Sequence, residues 1–254
     1  MLFDSHCHVD DDSYDNDRAE LIENLPSKGI ELLMEIGADM PSSRRAVELA
    51  KKYPFIYAAV GVHPHDTCDM TENDIEELVA LAAEPKVKAI GEIGLDYHYM
   101  NTDKHLQKKW FERQMQLTME LEMPFVIHDR DSHADCLEIL RKFDLKKVGG
   151  VMHCFSGSVE MAKEIIKMGM VISLGGPVTF KNARHSVDVA REIPLDKILI
   201  ETDSPYLAPE PLRGKRNSPE FVRFVAEKIA EIKGESFETV ARVTKENAMK
   251  LFKI

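Results

Sequence analysis

Short runs of β-branched and aliphatic residues alternate with segments of helical periodicity from one end of the chain to the other. Each apolar run is followed by a helical segment, so the pattern repeats a β-then-α unit. The runs predict eight strands, at Leu2–His6, Leu32–Ala38, Ile56–Val62, Val87–Ile93, Phe125–His128, Gly150–His153, Met170–Leu174 and Ile198–Glu201.

Helical periodicity fills the segments between these strands and the last part of the chain. Hydroxyl side chains stand where an N-cap could accept a bond from the free N–H groups of a first turn, at Ser42, Thr71, Thr102 and Ser158. The predicted helices are Asp17–Lys28, Ser42–Tyr53, Glu72–Ala83, Asp103–Glu122, Ser132–Phe143, Ser158–Met168, Ala183–Glu192, Pro219–Lys233 and Phe237–Phe252.

Eight β-then-α units joined by short loops favour an α/β fold of the (β/α)8 TIM-barrel type. The length of 254 residues agrees with the roughly 250 residues typical of that barrel. An open doubly wound sheet stays an alternative on the pattern alone. The chain has no internal repeat, linker or composition shift, so residues 1–254 are predicted to form a single domain.

Composition adds the class of protein to this picture. Apolar residues make up 44% of the chain and charged residues 30%, which is typical of a globular protein. The N-terminal segment MLFDSHCHVD lacks the basic and apolar regions of a signal peptide, and no run approaches the roughly 18 apolar residues of a membrane span. Four scattered cysteines without a C-x-x-C pair indicate reduced thiols and a cytoplasmic protein.

The formal net charge is −11, which argues against a protein that coats duplex DNA through a broad basic face. It leaves a nuclease open, because carboxylates that bind metal ions contribute to that total while the local field at the metals is positive. We expect no membrane partner and no obligate protein partner.

Imidazole and carboxylate side chains cluster at the carboxyl ends of the predicted strands. These ends meet at one mouth of a (β/α)8 barrel, where such enzymes place their active sites. Each residue alone has a structural alternative, such as a surface histidine or a buried ion pair, but their coincidence at matching strand ends predicts a metal centre. The predicted ligands are His6, His8, Glu92, His128, His153 and Asp203.

The ligand types restrict the metal. Imidazoles and carboxylates without a thiolate suit Zn, Mn, Ni, Co or, less well, Mg. Six ligands exceed the four of a usual mononuclear zinc site, so two divalent ions per chain are expected. Cys154 follows His153, but alternation along a strand should turn its thiol to the opposite face.

A proline-rich segment, ETDSPYLAPEPLRGKRNSP, follows the last predicted strand. It carries a dense cationic cluster of Arg213, Lys215 and Arg216, on a loop that prolines stiffen. Two interpretations remain open from the sequence, a clamp for substrate phosphates and a solvated basic turn.

The motifs DSHCHVD, VGVHPH, GEIGLDYH, HCFSG and ETDSPYLAP followed by RGKRNSP resemble those of the TatD-type metal-dependent deoxyribonucleases, a family of amidohydrolase-like barrels. The strand that ends at His128 also fits. These stretches extend from the first residues to about residue 219. Related barrels often place a carboxylated lysine on the fourth strand, and Glu92 at that position favours the TatD branch.

The resemblance implies how the ligands are divided between two ions. His6, His8, Glu92 and Asp203 would surround one ion, and the other would be held by Glu92, His128 and His153, so that Glu92 bridges them. His63 would contact the scissile phosphate, with His65 nearby. Asp203 would orient or deprotonate the attacking water. The resemblance assigns no role to Asp129, Arg130 or Asp131.

The function implied is hydrolysis of a phosphodiester by a metal-activated water. Single-stranded DNA or frayed 3′ ends are the expected substrates of a 3′–5′ exonuclease, because a barrel mouth cannot admit an intact duplex. Two alternatives use the same centre. One is a metal-dependent deacylase or amidase, such as a D-aminoacyl-tRNA deacylase, and the other is a metal-binding protein without turnover.

Overall fold

The computed structural model describes residues 1–254, and its eight strands form one parallel sheet. The strands are β1 (Leu2–Cys7), β2 (Ile30–Ile36), β3 (Ile56–Val60), β4 (Val87–Asp96), β5 (Phe125–Arg130), β6 (Gly150–Met152), β7 (Val171–Leu174) and β8 (Ile198–Ile200).

The strands follow one another in the sheet in chain order, from β1 to β8. The chain just after β8 also adjoins the end of β1, because Cys7 forms a parallel bridge with Ser204 and the His8 N–H donates to the Ser204 carbonyl at 2.8 Å. A doubly wound sheet reverses its strand order at a switch point, and this sheet does not. The predicted (β/α)8 fold is confirmed.

Nine helices accompany the strands: α1 (Arg18–Asn24), α2 (Met40–Lys52), α3 (Glu72–Ala82), α4 (Lys104–Leu121), α5 (His133–Leu140), α6 (Val159–Lys167), α7 (Arg184–Glu192), α8 (Val222–Lys233) and α9 (Phe237–Phe252). Helix α1 ends earlier than predicted, since Pro26 has no N–H for a further helical bond and begins a 3-10 turn. None of the helices combines the length and apolar character that a membrane span requires.

Two of the four predicted N-caps are wrong, and an aspartate takes the position in both. Asp39 caps α2, where its carboxylate accepts the backbone N–H of Ser42 at 2.7 Å. Asp103 caps α4, while the Thr102 hydroxyl donates to the His65 carbonyl at 2.9 Å. A carboxylate accepts these N–H groups more strongly than a hydroxyl does, because it is charged. The other two N-caps are confirmed, at Thr71 and Ser158.

The fold comprises two compact units, each with its own buried residues. The first comprises residues 1–35, 154–166 and 171–254, and the second residues 36–153 and 167–170. In the first unit, α8 and α9 pack on each other, and Phe252 of α9 lies against Phe3 of β1 with ring centroids 6.2 Å apart. In the second unit, α4 packs against β4 and buries Trp110 and Phe111.

Candidate metal centre

Three predicted ligands meet in the first unit, and we call His6, His8 and Asp203 the His6 cluster. His6 and His8 lie two residues apart at the end of β1, with their Nε2 atoms 3.2 Å apart. Asp203 Oδ1 lies 3.6 Å from each of these nitrogens. The backbone N–H of Asp203 donates to the His6 carbonyl at 2.9 Å, which fixes the aspartate beside β1.

Two buried carboxylates outside the predicted ligand set, Asp4 and Glu35, hold the chain around the His6 cluster. Asp4 accepts the backbone N–H and the hydroxyl of Thr202 at 2.9 and 2.6 Å, directly before Asp203. Glu35 accepts the N–H groups of Val9 and Asp10, both at 2.9 Å, directly after His8. Burial raises the pKa of both carboxyl groups well above their ordinary values.

Asn217 closes the segment that carries Asp203. Its side-chain amide donates to the carbonyls of Thr202 and Tyr206 at 2.8 and 2.6 Å, and the residue is fully buried. The Tyr14 hydroxyl donates to the Asn217 carbonyl at 2.6 Å. Asn217 therefore ties residues on both sides of Asp203 into one rigid turn.

The second unit brings together three further predicted ligands, which we call the Glu92 cluster: Glu92, His128 and His153. Glu92 Oε1 lies 2.8 Å from His128 Nδ1 and 2.8 Å from His153 Nε2. The two nitrogens lie 3.2 Å apart. All three donor atoms therefore face one point, with Glu92 in the middle of β4, His128 in the last half of β5 and His153 directly after β6.

A close approach of β4 to β5 makes this arrangement possible. Gly94 pairs with His128 in the sheet and has a φ of +144°. A Cβ atom at this position would lie 2.0 Å from the His128 carbonyl oxygen, so only glycine fits. The two strands thus hold the Glu92 carboxylate within reach of the His128 ring.

The donor atoms of both clusters lie close to the spacing of ligands around a divalent ion. Two ligand atoms about 2.1 Å from one ion, at an angle between about 90° and 110°, lie roughly 3.0–3.4 Å apart. The two imidazole nitrogens lie 3.2 Å apart in both clusters, within this range. The carboxylate oxygen lies 3.6 Å from its nitrogens in the His6 cluster and 2.8 Å in the Glu92 cluster, so a bound ion would require shifts of a few tenths of an ångström. Imidazole nitrogen and carboxylate oxygen are also donors that Zn, Mn, Ni and Co accept.

Asp96, at the end of β4, orients His128 from behind. Its Oδ2 lies 3.1 Å from His128 Nε2 and 3.0 Å from His65 Nε2. Its Oδ1 accepts the backbone N–H groups of His98 and Tyr99 at 2.8 and 3.0 Å. A carboxylate on the far nitrogen of a ligating histidine fixes the tautomer and the ring orientation. With an ion bound, this contact would keep the proton of His128 on Nε2 and leave the Nδ1 lone pair for the ion.

The protonation of His63 distinguishes it from the ligands. Its Nδ1 accepts the backbone N–H of His65 at 3.1 Å, so a neutral ring carries its proton on Nε2. Nε2 lies 3.8 Å from Glu92 Oε1, and burial holds the pKa of His63 well below its ordinary value. His63 thus presents a neutral N–H donor beside the Glu92 cluster, which could donate a hydrogen bond to an oxygen of a substrate.

The predicted cationic cluster is divided in the structure. Arg216 forms two hydrogen bonds with the Asp17 carboxylate and lies over the Tyr14 ring, with its guanidinium carbon 4.5 Å from the ring centre. Arg213 stacks on Phe180 at 4.2 Å, and both Arg213 and Lys215 are exposed. A role of Arg216 in substrate binding stays a prediction, and it would require the arginine to exchange its partner.

Comparisons with known proteins identify the family of the chain. The family model described as TatD related DNase matches residues 3–253. The uncharacterized metal-dependent hydrolase YabD of Bacillus subtilis is 49% identical over 254 residues, which cover 100% of both chains. A 3′-5′ ssDNA/RNA exonuclease TatD of Citrobacter rodentium is 34% identical, over 100% of this chain and 98% of the relative.

A solved structure extends the comparison to the fold. The crystal structure of YjjV, a TatD homologue from Escherichia coli, superposes with a TM-score of 0.92 at 28% sequence identity. The match covers 100% of this chain and 98% of that chain. The fold is therefore shared along the whole chain.

Proposed function

The chain belongs to the family of TatD-related DNases and is a metal-dependent hydrolase, and we propose that it removes nucleotides from the 3′ ends of single-stranded or frayed DNA. The observation that carries the proposal is the pair of donor triangles, the His6 cluster and the Glu92 cluster, each with two imidazole nitrogens 3.2 Å apart and a carboxylate oxygen beside them. We propose that each cluster holds one divalent ion.

The residues of the chain have separate tasks in this proposal. Divalent ions, when bound, would lower the pKa of a water molecule and stabilise charge on the phosphoryl oxygens. Asp203 would orient that water and accept its proton, since its carboxylate lies against both His6 and His8. His63 would donate its Nε2 proton in a hydrogen bond to a phosphate oxygen, because the His65 N–H occupies its other nitrogen.

Two observations favour a nucleic acid strand as the substrate. Relatives at 34% and 32% identity are named 3′-5′ ssDNA/RNA exonucleases, and the family model is described as a DNase. The net charge of −11 disfavours broad binding to duplex DNA, so local cations such as Arg213 and Lys215 would contact the phosphates of a strand. The proposal places the protein in the cytoplasm, where its four free cysteines would stay reduced.

A substrate panel on metal-stripped and metal-restored protein tests the proposal. Single-stranded DNA labelled at its 5′ end should be shortened stepwise from the 3′ end, and a duplex with blunt ends should react more slowly. Chelation should abolish the reaction and Mn²⁺ or Zn²⁺ should restore it. The Glu92→Ala variant, purified in the same way, controls for contaminating nucleases.

Two other outcomes would replace the proposal. Hydrolysis of a D-aminoacyl ester without turnover of any DNA would assign the same centre to deacylation. Stoichiometric metal binding without hydrolysis of any substrate in the panel would leave a metal-binding protein. With the label at the 5′ end, 3′–5′ cleavage gives a ladder of labelled fragments. Cleavage from 5′ to 3′ releases a labelled mononucleotide instead.

A further inference from the structure

Arg130 is an exposed cation that the protein does not neutralise. It ends β5, two residues after His128, and its guanidinium forms no hydrogen bond or ion pair with the chain. Both neighbouring acids have other partners. Asp129 accepts from Ser132 at 2.6 Å and pairs with His133 at 2.7 Å, and Asp131 pairs with His98 at 3.0 Å.

The one side chain that supports Arg130 is itself exposed. The guanidinium carbon lies 4.8 Å from the ring centre of Tyr99, and 57% of the tyrosine is accessible. The ring contacts His65 and His98 edge to face, at 5.4 and 4.8 Å. The Tyr99 ring therefore lies among polar groups and exposes aromatic surface to solvent, whereas most aromatic rings in proteins are largely buried.

Asp96 connects this pair to the Glu92 cluster. One of its oxygens faces His128 Nε2, and the other accepts the backbone N–H of Tyr99. The sheet register aligns Asp96 with Arg130. The same carboxylate thus contacts a predicted metal ligand and fixes the backbone of the turn that carries Tyr99.

We infer that Tyr99 and Arg130 form a nucleotide subsite beside the Glu92 cluster, in which the guanidinium binds a backbone phosphate and the aromatic surface contacts the base next to the scissile bond. The inference rests on the proposed nuclease function. A planar guanidinium matches phosphate oxygens in a bidentate geometry, and aromatic rings accept any base because every base has a π face. A single strand repeats a phosphate for the guanidinium and a base for the ring, and a small ester has no such pair of groups.

Binding and substrate chemistry test the subsite independently of turnover. Protein supplied with Mn²⁺ is titrated into a fluorescent phosphorothioate oligothymidylate, and anisotropy gives Kd at several salt concentrations. The variants are Tyr99→Ala, Tyr99→Phe, Arg130→Ala and Arg130→Lys. Arg223→Ala is the matched control, because Arg223 is also an exposed arginine over an aromatic ring, on α8, which carries no predicted ligand.

Tyr99→Ala should raise Kd about fivefold or more, in line with the energy of stacking one base on an aromatic ring, whereas Tyr99→Phe should keep the parental value. Arg130→Ala should reduce the slope of log Kd against log salt by about 0.7, the amount for one phosphate contact on a single strand, and Arg130→Lys should keep the slope. An oligonucleotide with one abasic position, moved along the strand, should lose affinity for the parent at one position near the 3′ end. Tyr99→Ala should not raise the Kd of that abasic oligonucleotide further.

The outcomes separate this inference from the function on which it rests. If the parent shortens DNA but Tyr99→Ala and Arg130→Ala keep its Kd and salt slope, the subsite does not exist although the nuclease does. If the parent neither binds nor shortens any oligonucleotide, the proposed function fails and the subsite with it. An equal effect of Arg223→Ala would show that general surface charge, and not this pair, attracts the strand.

Discussion

Replacing Asp96 with asparagine should remove metal from the Glu92 cluster without changing a single ligand. The asparagine oxygen can continue to accept the backbone N–H groups of His98 and Tyr99, as Asp96 Oδ1 does. Its NH2 group then faces His128 Nε2 at the position of Oδ2, 3.1 Å away. Two donors cannot share this contact, so His128 would move its proton to Nδ1, the nitrogen that faces Glu92.

The size of the effect follows from this change of tautomer. A protonated Nδ1 cannot coordinate an ion, and rotating the asparagine amide would instead place NH2 against two backbone N–H groups. Loss of such a partner behind a ligating histidine typically costs 10- to 100-fold in metal affinity. This corresponds to about 1.4–2.8 kcal/mol, since each 1.4 kcal/mol is a factor of ten.

Metal titration with a competing chelator measures this affinity, and kcat/KM on a DNA substrate should fall in parallel at limiting metal. Excess metal should restore part of the rate. Asp135→Asn is the control, because Asp135 accepts from the Tyr97 hydroxyl and pairs with Lys108 without touching a histidine. An Asp96→Asn protein with parental metal affinity and parental kcat/KM would refute the assigned tautomer.

Four further outcomes are expected. Glu92→Ala should abolish hydrolysis and lower the metal content while circular dichroism stays parental, and normal turnover would remove Glu92 from the site. Asn217→Ala should lower the free energy of unfolding by about 1–3 kcal/mol, as measured with urea, because two buried carbonyls lose their donor. Burial first, and then Asp10, raise the pKa of Glu35 in the folded protein well above 4.5. The free energy of unfolding should therefore fall as the pH rises from the ordinary pKa to the raised one, and urea titrations should show a shallower fall in Glu35→Gln. Arg213→Ala with Lys215→Ala should raise KM and flatten its salt dependence at nearly constant kcat, whereas Arg216→Ala should chiefly lower stability through its bond to Asp17.

Most of the fold could be predicted from local pattern, because each strand and helix carries its own periodicity. Helix α9 begins and ends at the predicted residues, Phe237 and Phe252. The larger errors have local causes. Pro26 shortens α1, and β4 continues beyond Ile93 because Gly94 permits a backbone conformation that keeps the chain beside β5.

The candidate ligands could be predicted because a charged or imidazole group in an apolar strand needs a partner. The same signal occurs at Glu35, in the run ELLMEI, but this carboxylate binds backbone N–H groups instead. Whether a carboxylate can bind a metal depends on which groups of other strands face it in the fold, and no local sequence pattern contains that information. The contact of Tyr99 with Arg130 likewise depends on the register of β4 and β5.

The division of the chain into two units has a consequence for biosynthesis. All residues of the Glu92 cluster lie within the continuous segment 36–153, whereas the His6 cluster needs residues from both ends of a discontinuous unit. A ribosome has made His6 and His8 long before it reaches Asp203, so these histidines must wait for their third partner. A nascent chain that ends before residue 203 therefore contains every residue of the Glu92 cluster and lacks one residue of the His6 cluster. The last part of the chain to be made completes the His6 cluster.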